Sequence, residues 1–92
     1  MPGPKENVIE RALVARVRQL GGVADKVQVI GRRGFCDRLI VLPGGRVIFV
    51  ECKRPRGGRL SPHQVHYREI YAACGVTIEL VHTIADIDRL LG

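Results

Sequence analysis

Apolar residues recur every three or four positions early in the chain, at Ile9, Leu13, Val17 and Leu20, with Ala12 beside them. That spacing predicts an amphipathic helix over residues 6–20, which Gly21-Gly22 stops. Residues 23–30 alternate loosely and predict a strand, followed by a basic turn at Gly31-Arg32-Arg33-Gly34. Residues 37–42 and 46–53 are rich in β-branched positions, and Pro43-Gly44-Gly45 between them signals a hairpin. A basic, glycine-containing loop occupies 54–60. Ser61-Pro62 then opens a second helix, Ser as N-cap and Pro at the first helical position, and Gly75 closes it. Its stripe is Tyr67, Ile70, Tyr71 and Cys74. A fourth strand is expected over 76–81, and Thr83 caps a short last helix ending at Leu91. The order αβββαβα, a three-stranded meander with a helical crossover to a fourth strand, predicts one α/β domain of α+β-like, mixed-sheet character over residues 1–92.

The third strand is apolar on both faces, Val47 and Phe49 on one and Ile48 and Val50 on the other, as in a strand covered from both sides. The Val47/Phe49 face nevertheless runs on into Glu51 and Lys53, because strand side chains repeat every two residues. Charged groups ending a buried face are costly unless something pairs them. With a three-residue loop, Leu42 lies opposite Arg46, and counting back sets Asp37 opposite Glu51 on the same face. Two carboxylates so placed repel unless a cation stands between them. A divalent metal with oxygen ligands meets that need. A Glu51–Lys53 ion pair with Asp37 capping a turn meets it equally on spacing alone, and a one-residue slip of register would separate the acids.

Charge changes the picture more than composition does. The 92 residues carry fifteen Lys and Arg against nine Asp and Glu, a net of +6, and twelve of the fifteen are Arg. Residues 26–59 hold nine of the cations and only Asp37 and Glu51 as acids, a net of +7, so the remainder is close to neutral. An arginine-dominated field suits phosphate, which guanidinium groups bind bidentately, and so points to a polyanion. No apolar run approaches the ~20 residues of a membrane span, and the Pro/Gly-rich start, expected to fray over residues 1–5, has no apolar signal region, so no export is expected. Cys36, Cys52 and Cys74 are odd in number and without C-x-x-C spacing, as for reduced thiols in a cytoplasmic protein. Cys52 and Cys74 fit apolar stripes and read as core residues. His63-x-x-His66 with Cys74 lacks the spacing of a zinc site, Cys36 has no partnered base, and no nucleotide-phosphate loop is present. Few aromatics leave little for base stacking, so recognition through backbone phosphates is expected.

Asp37, then Glu51-Cys52-Lys53 after an apolar strand, resembles the D…E-x-K core of the PD-(D/E)XK nuclease superfamily. Gly31 to Leu39, Pro43-Gly44-Gly45-Arg46, Phe49 to Pro55 and Leu60-Ser61-Pro62-His63-Gln64 are similar, in order and spacing, to the VRR-NUC family, over about Glu6 to Ile87. One departure is Cys36, where the family usually carries a proline. That proline is a backbone feature rather than a ligand, so its loss is not expected to remove activity.

The resemblance implies an αβββαβ restriction-endonuclease-like core, here with a short C-terminal helix, and hydrolysis of DNA phosphodiester bonds. Asp37 and Glu51 would bind Mg²⁺ or Mn²⁺ with the backbone carbonyl of Cys52. Glu10 would orient the metal or its water, against its alternative as a solvated helix residue. Lys53 would position or help deprotonate the attacking water and stabilise charge on the phosphate. Gln64 matches a motif glutamine, although Ser61-x-x-Gln64 is also a capping box, and the two roles can coexist. Arg32, Arg33, Arg54, Arg56 and Arg59, on loops flanking the acids, are expected to hold the DNA backbone. Free-standing phage members resemble Holliday-junction resolvases, which implies a homodimer acting on branched or duplex DNA, with no nucleotide cofactor and no membrane. The competing reading is a non-catalytic basic nucleic-acid-binding module that keeps the fold; an intact Asp37/Glu51/Lys53 set argues for cutting.

Overall fold

The computed structural model describes residues 6–31, 36–53 and 58–92. Helix α1 spans Glu6–Gln19 and strand β1 Val23–Lys26; β2 is Arg38–Leu42 and β3 Arg46–Cys52. Helix α2 (Pro62–Ala73), strand β4 (Ile78–Val81) and helix α3 (Ile84–Leu91) complete the chain. The sheet runs β1-β2-β3-β4, antiparallel through the first three strands and parallel between β3 and β4. This is the predicted mixed sheet, an α+β fold with a meander and one helical crossover.

All four strands are shorter than the pattern suggested, β2 and β3 by one residue each and the other two by more. The first stops at Lys26 rather than at residue 30, since β2 itself begins only at Arg38, opposite Lys26. The fourth begins at Ile78 rather than Val76, because the Val76 amide donates to Tyr71 and closes α2. There Gly75, at φ +85°, takes the left-handed turn of a Schellman end. The amides of Gly21 and Gly22 finish α1 in the same way, on Arg18 and Val17. Gly22 has a second duty. A Cβ there would sit 2.6 Å from the Val41 carbonyl and 2.8 Å from the Leu42 side chain, so only hydrogen lets the helix end meet β2.

The sheet is covered unequally. Even-numbered positions of β2 and β3 (Ile40, Leu42, Ile48, Val50, Cys52) face α1 and α3, forming one core with Ile9, Leu13, Val17, Val81, Ile87 and Leu91. Burying such side chains contributes roughly 1.5–3 kcal/mol each before chain entropy is set against it. Opposite them lies a small cluster of Cys36, Tyr67 and Ile78, with Phe49 and Tyr71 packed on it edge to face at 5.7 Å. Tyr67 is the buried side chain of α2. Ile70 and Cys74, expected in the core, are exposed, as are Leu20 and Val47. For Ile70 and Cys74 the reason is that the apolar contact of α2 with the sheet is made by Tyr67 and Tyr71. Leu20 stands beyond the last turn of α1, and Val47 lies at the hairpin end of β3, away from the Tyr67–Tyr71 cluster. Helix α3 is tied down by Thr83 and Asp86, which cap one another reciprocally, and by an ion pair of 2.6 Å from Arg16 to Asp88. Amides of His82 and Thr83 and the Arg89 guanidinium hold the Asp86 carboxyl below its ordinary range.

Candidate active site

Register decides which side chains meet. The Pro43-Gly44-Gly45 turn pairs Leu42 with Arg46 and carries the ladder back to Arg38 opposite Val50. Beyond that pair the ladder bends: the Asp37 amide donates to the Val50 carbonyl, and the Asp37 carboxylate Oδ2 accepts from the Cys52 amide at 2.8 Å. Asp37 is thereby fixed against the end of β3, one residue from Glu51.

Glu51 is 2% exposed, and among the described residues it is the single charged side chain that is buried. Its Oε1 accepts from Gln64 Nε2 at 2.8 Å. The orientation of that amide is not arbitrary. Gln64 Oε1 accepts from the Ser61 backbone N–H at 2.9 Å, and a backbone N–H can only donate, so the amine end of Gln64 must face Glu51. In return the backbone N–H of Gln64 donates to Ser61 Oγ at 3.2 Å, completing the capping box. One glutamine therefore starts α2 and docks it on the buried acid.

Cys36 lies beside both acids. Its thiol donates to the Arg38 carbonyl at 3.8 Å, and burial together with the charges of Glu51 and Asp37 pushes it up to about 12. A thiol so placed stays protonated at neutral pH and is no nucleophile.

Arg38, the first residue of β2, turns toward α1. There its Nε donates to Glu10 Oε2 at 2.7 Å, and its Nη1 to the Ala24 carbonyl at 3.1 Å. Glu10 and Asp37 line one cavity of about 360 Å³ with Lys26, Gln28 and Cys36. Glu10, Asp37 and Glu51 do not converge on a single point: among the described residues no three His, Cys, Asp or Glu side chains are grouped to hold a metal ion. His63, His66 and Cys74 are exposed. Lys53 follows β3 directly, half-buried, with its amide donating to the Val81 carbonyl at 2.9 Å. Arg59 is exposed, whereas Arg32, Arg33, Arg54 and Arg56 lie outside the described residues.

Chemically, a buried carboxylate and a second one held at its oxygen by a backbone amide make a hard-oxygen pair at one strand end. Such a pair fits Mg²⁺ or Mn²⁺ if a backbone carbonyl and water complete the shell. Sequence reasoning had missed Arg38 as the partner of Glu10. The alternation of β2 carried the signal, since it puts Arg38 on the face of Ile40 and Leu42, which α1 covers.

No family model matches the chain. Over 61 residues, 66% of this chain, it is 51% identical to "Putative nuclease p44" of Acyrthosiphon pisum secondary endosymbiont phage 1; the match spans 64% of that protein's length. A solved structure described as a VRR_NUC domain superposes with a TM-score of 0.88, at 30% identity, over 97% of this chain and 96% of the other. On near-complete coverage of both chains at that identity, this chain belongs to the VRR-NUC family.

Proposed function

We propose that the protein is a metal-dependent endonuclease that hydrolyses DNA phosphodiester bonds, selective for branched DNA such as Holliday junctions and acting as a homodimer. The observation that carries the reading is Glu51, buried and held by Gln64 on the strand end where the Cys52 amide holds Asp37. A protein that only binds DNA has no use for a carboxylate kept out of water. The likeness to a phage protein bearing a nuclease's name, and to a VRR_NUC domain, supports it.

Asp37 and Glu51, with the backbone carbonyl of Cys52, would hold Mg²⁺ or Mn²⁺. When bound, such an ion supplies a more acidic water and a polarised phosphoryl oxygen. Gln64 keeps Glu51 oriented toward that position. Lys53 would bring positive charge to the phosphorus as negative charge builds there. Glu10, fixed by Arg38 at the rim of the Asp37 cavity, would orient a water. Arg59, and the loop arginines Arg32, Arg33, Arg54 and Arg56, would hold flanking phosphates.

The test is incubation with a four-way junction, a plain duplex and a supercoiled plasmid, in Mg²⁺, Mn²⁺ or EDTA, beside Asp37→Ala. Cleavage is expected with metal and lost both in EDTA and in the variant. Cleavage that survives either would overturn the mechanism. Equal cutting of duplex and junction would remove the selectivity, and a monomer in a sizing experiment would remove the paired sites.

A further inference from the structure

Glu10 and Lys26, which line the cavity holding Asp37, also line a second and larger hollow of about 460 Å³. Its other walls include Asn7, Arg11 and Arg18 from α1, and Arg38 from β2. Residues 7, 11 and 18 are four and seven apart and so share one helix face, with Arg11 and Arg18 separated by about 10 Å along the axis. Four cations thus surround one acid, and that acid is already engaged by Arg38 at 2.7 Å. Among the described residues no carboxylate pairs with Arg11, Arg18 or Lys26, and all three are exposed. Uncompensated like charges gathered around a concavity concentrate field there and draw a polyanion into it.

We propose that this hollow seats the phosphates that flank the scissile bond, Arg11, Arg18 and Lys26 each taking a backbone phosphate of one strand. This inference rests on the nuclease reading and adds to it a substrate track built on a helix and a sheet edge rather than on loops. One strand rises 3.4 Å per nucleotide, so the reach from Arg11 to Arg18 covers about three nucleotides. The track runs from α1 past Lys26 to the Asp37 cavity, with Glu10 and Lys26, which line both hollows, standing between them.

The test is binding of a fluorescein-labelled plain duplex by the full chain in EDTA, where no cleavage intervenes, followed by anisotropy from about 50 to about 200 mM salt. Each phosphate contact removed makes the dependence of log affinity on log salt shallower by about 0.9. Arg11→Gln/Arg18→Gln is expected to flatten it by about two units, so that the variant loses about tenfold less affinity than the wild type across that range. Lys26→Gln, a single change at the sheet edge, is expected to flatten it by about one. The control Arg46→Gln/Arg89→Gln removes the same charge elsewhere, from the start of β3 and from α3, and is expected to leave the slope near the wild-type value. If the α1 pair and Lys26→Gln flatten the slope no more than the control does, the track is overturned. A wild-type protein that cuts DNA while these slopes stay unchanged loses the track and keeps the nuclease. Slopes that flatten in a protein that cuts nothing keep the track and remove the nuclease.

Discussion

Gln64 shows how much one side chain can settle. Its carbonyl end belongs to the helix cap and its amine end to Glu51, so removing it undoes two interactions at once. Ser61→Ala removes only the hydroxyl half of the cap, and substitutions of that kind cost about 1 kcal/mol. Gln64→Met keeps the length but withdraws a donor from a buried carboxylate, which costs about 1–3 kcal/mol in addition to its share of the cap. Urea denaturation is expected to rank Gln64→Met well below Ser61→Ala; equal losses would mean that the contact with Glu51 contributes nothing to the fold. The cap was legible in the sequence, and of the bond to Glu51 only the inward direction of residue 64 was. Ser61-x-x-Gln64 is a capping box on its face, and the helical register turns residue 64 toward the stripe of Tyr67 and Tyr71. The grip of Arg38 on Glu10 was less legible. It joins a helix to a strand across 28 positions, and in a tally of basic residues Arg38 is merely one more cation.

Among the elements, the hairpin was the clearest signal and the most consequential. A three-residue Pro-Gly-Gly turn fixes which residues of β2 and β3 face each other, and therefore sets Asp37 at the strand end that carries Glu51. What the turn could not announce was the bend beyond Arg38, where the Asp37 amide leaves the ladder and its carboxylate takes up the Cys52 amide instead. The junction of α1 with β2 is set by space alone. Gly22→Ala drives a methyl group into the Val41 carbonyl and the Leu42 side chain. A loss of about 1–3 kcal/mol is expected in urea denaturation, the usual cost of overfilling a packed contact. Gly44→Ala makes a useful contrast: nothing lies within 4 Å of the added carbon, and only its φ of +91° opposes the change. A Gly22→Ala protein as stable as the wild type would show that α1 can move away from the sheet without cost.

Across the whole molecule, the sheet has a thick side and a thin one. Helices α1 and α3 close a continuous apolar core, while α2 rests on the sheet through Tyr67, Tyr71 and the Gln64–Glu51 bond. Elements with few buried contacts open at lower free energy than the rest of a domain. Amide hydrogen exchange is therefore expected to be faster through the middle of α2 than through the middle of α1, and uniform protection of the two helices would refute the asymmetry. This imbalance also explains why the stripe read from residues 67–74 failed at Ile70 and Cys74. Periodicity tells which face of a helix is apolar, but it does not tell how closely that face approaches its sheet. On the α1 side the stripe holds for Ile9, Leu13 and Val17, which meet a full layer of partners there, and fails at Leu20 beyond the helix end.

The doubly committed amide of Gln64 has a consequence for how this chain can vary. Position 64 must offer an acceptor to Ser61 and a donor to Glu51, at the reach of two methylenes. Glutamate supplies no donor when ionised, lysine no acceptor, and asparagine falls one carbon short. Two demands with nothing chemically in common, that of a helix needing a start and that of a buried acid needing a neighbour, thus admit the same residue and hardly any other. Drift at that site is closed from both directions, and a designer wishing to alter either would first have to supply the other from somewhere else.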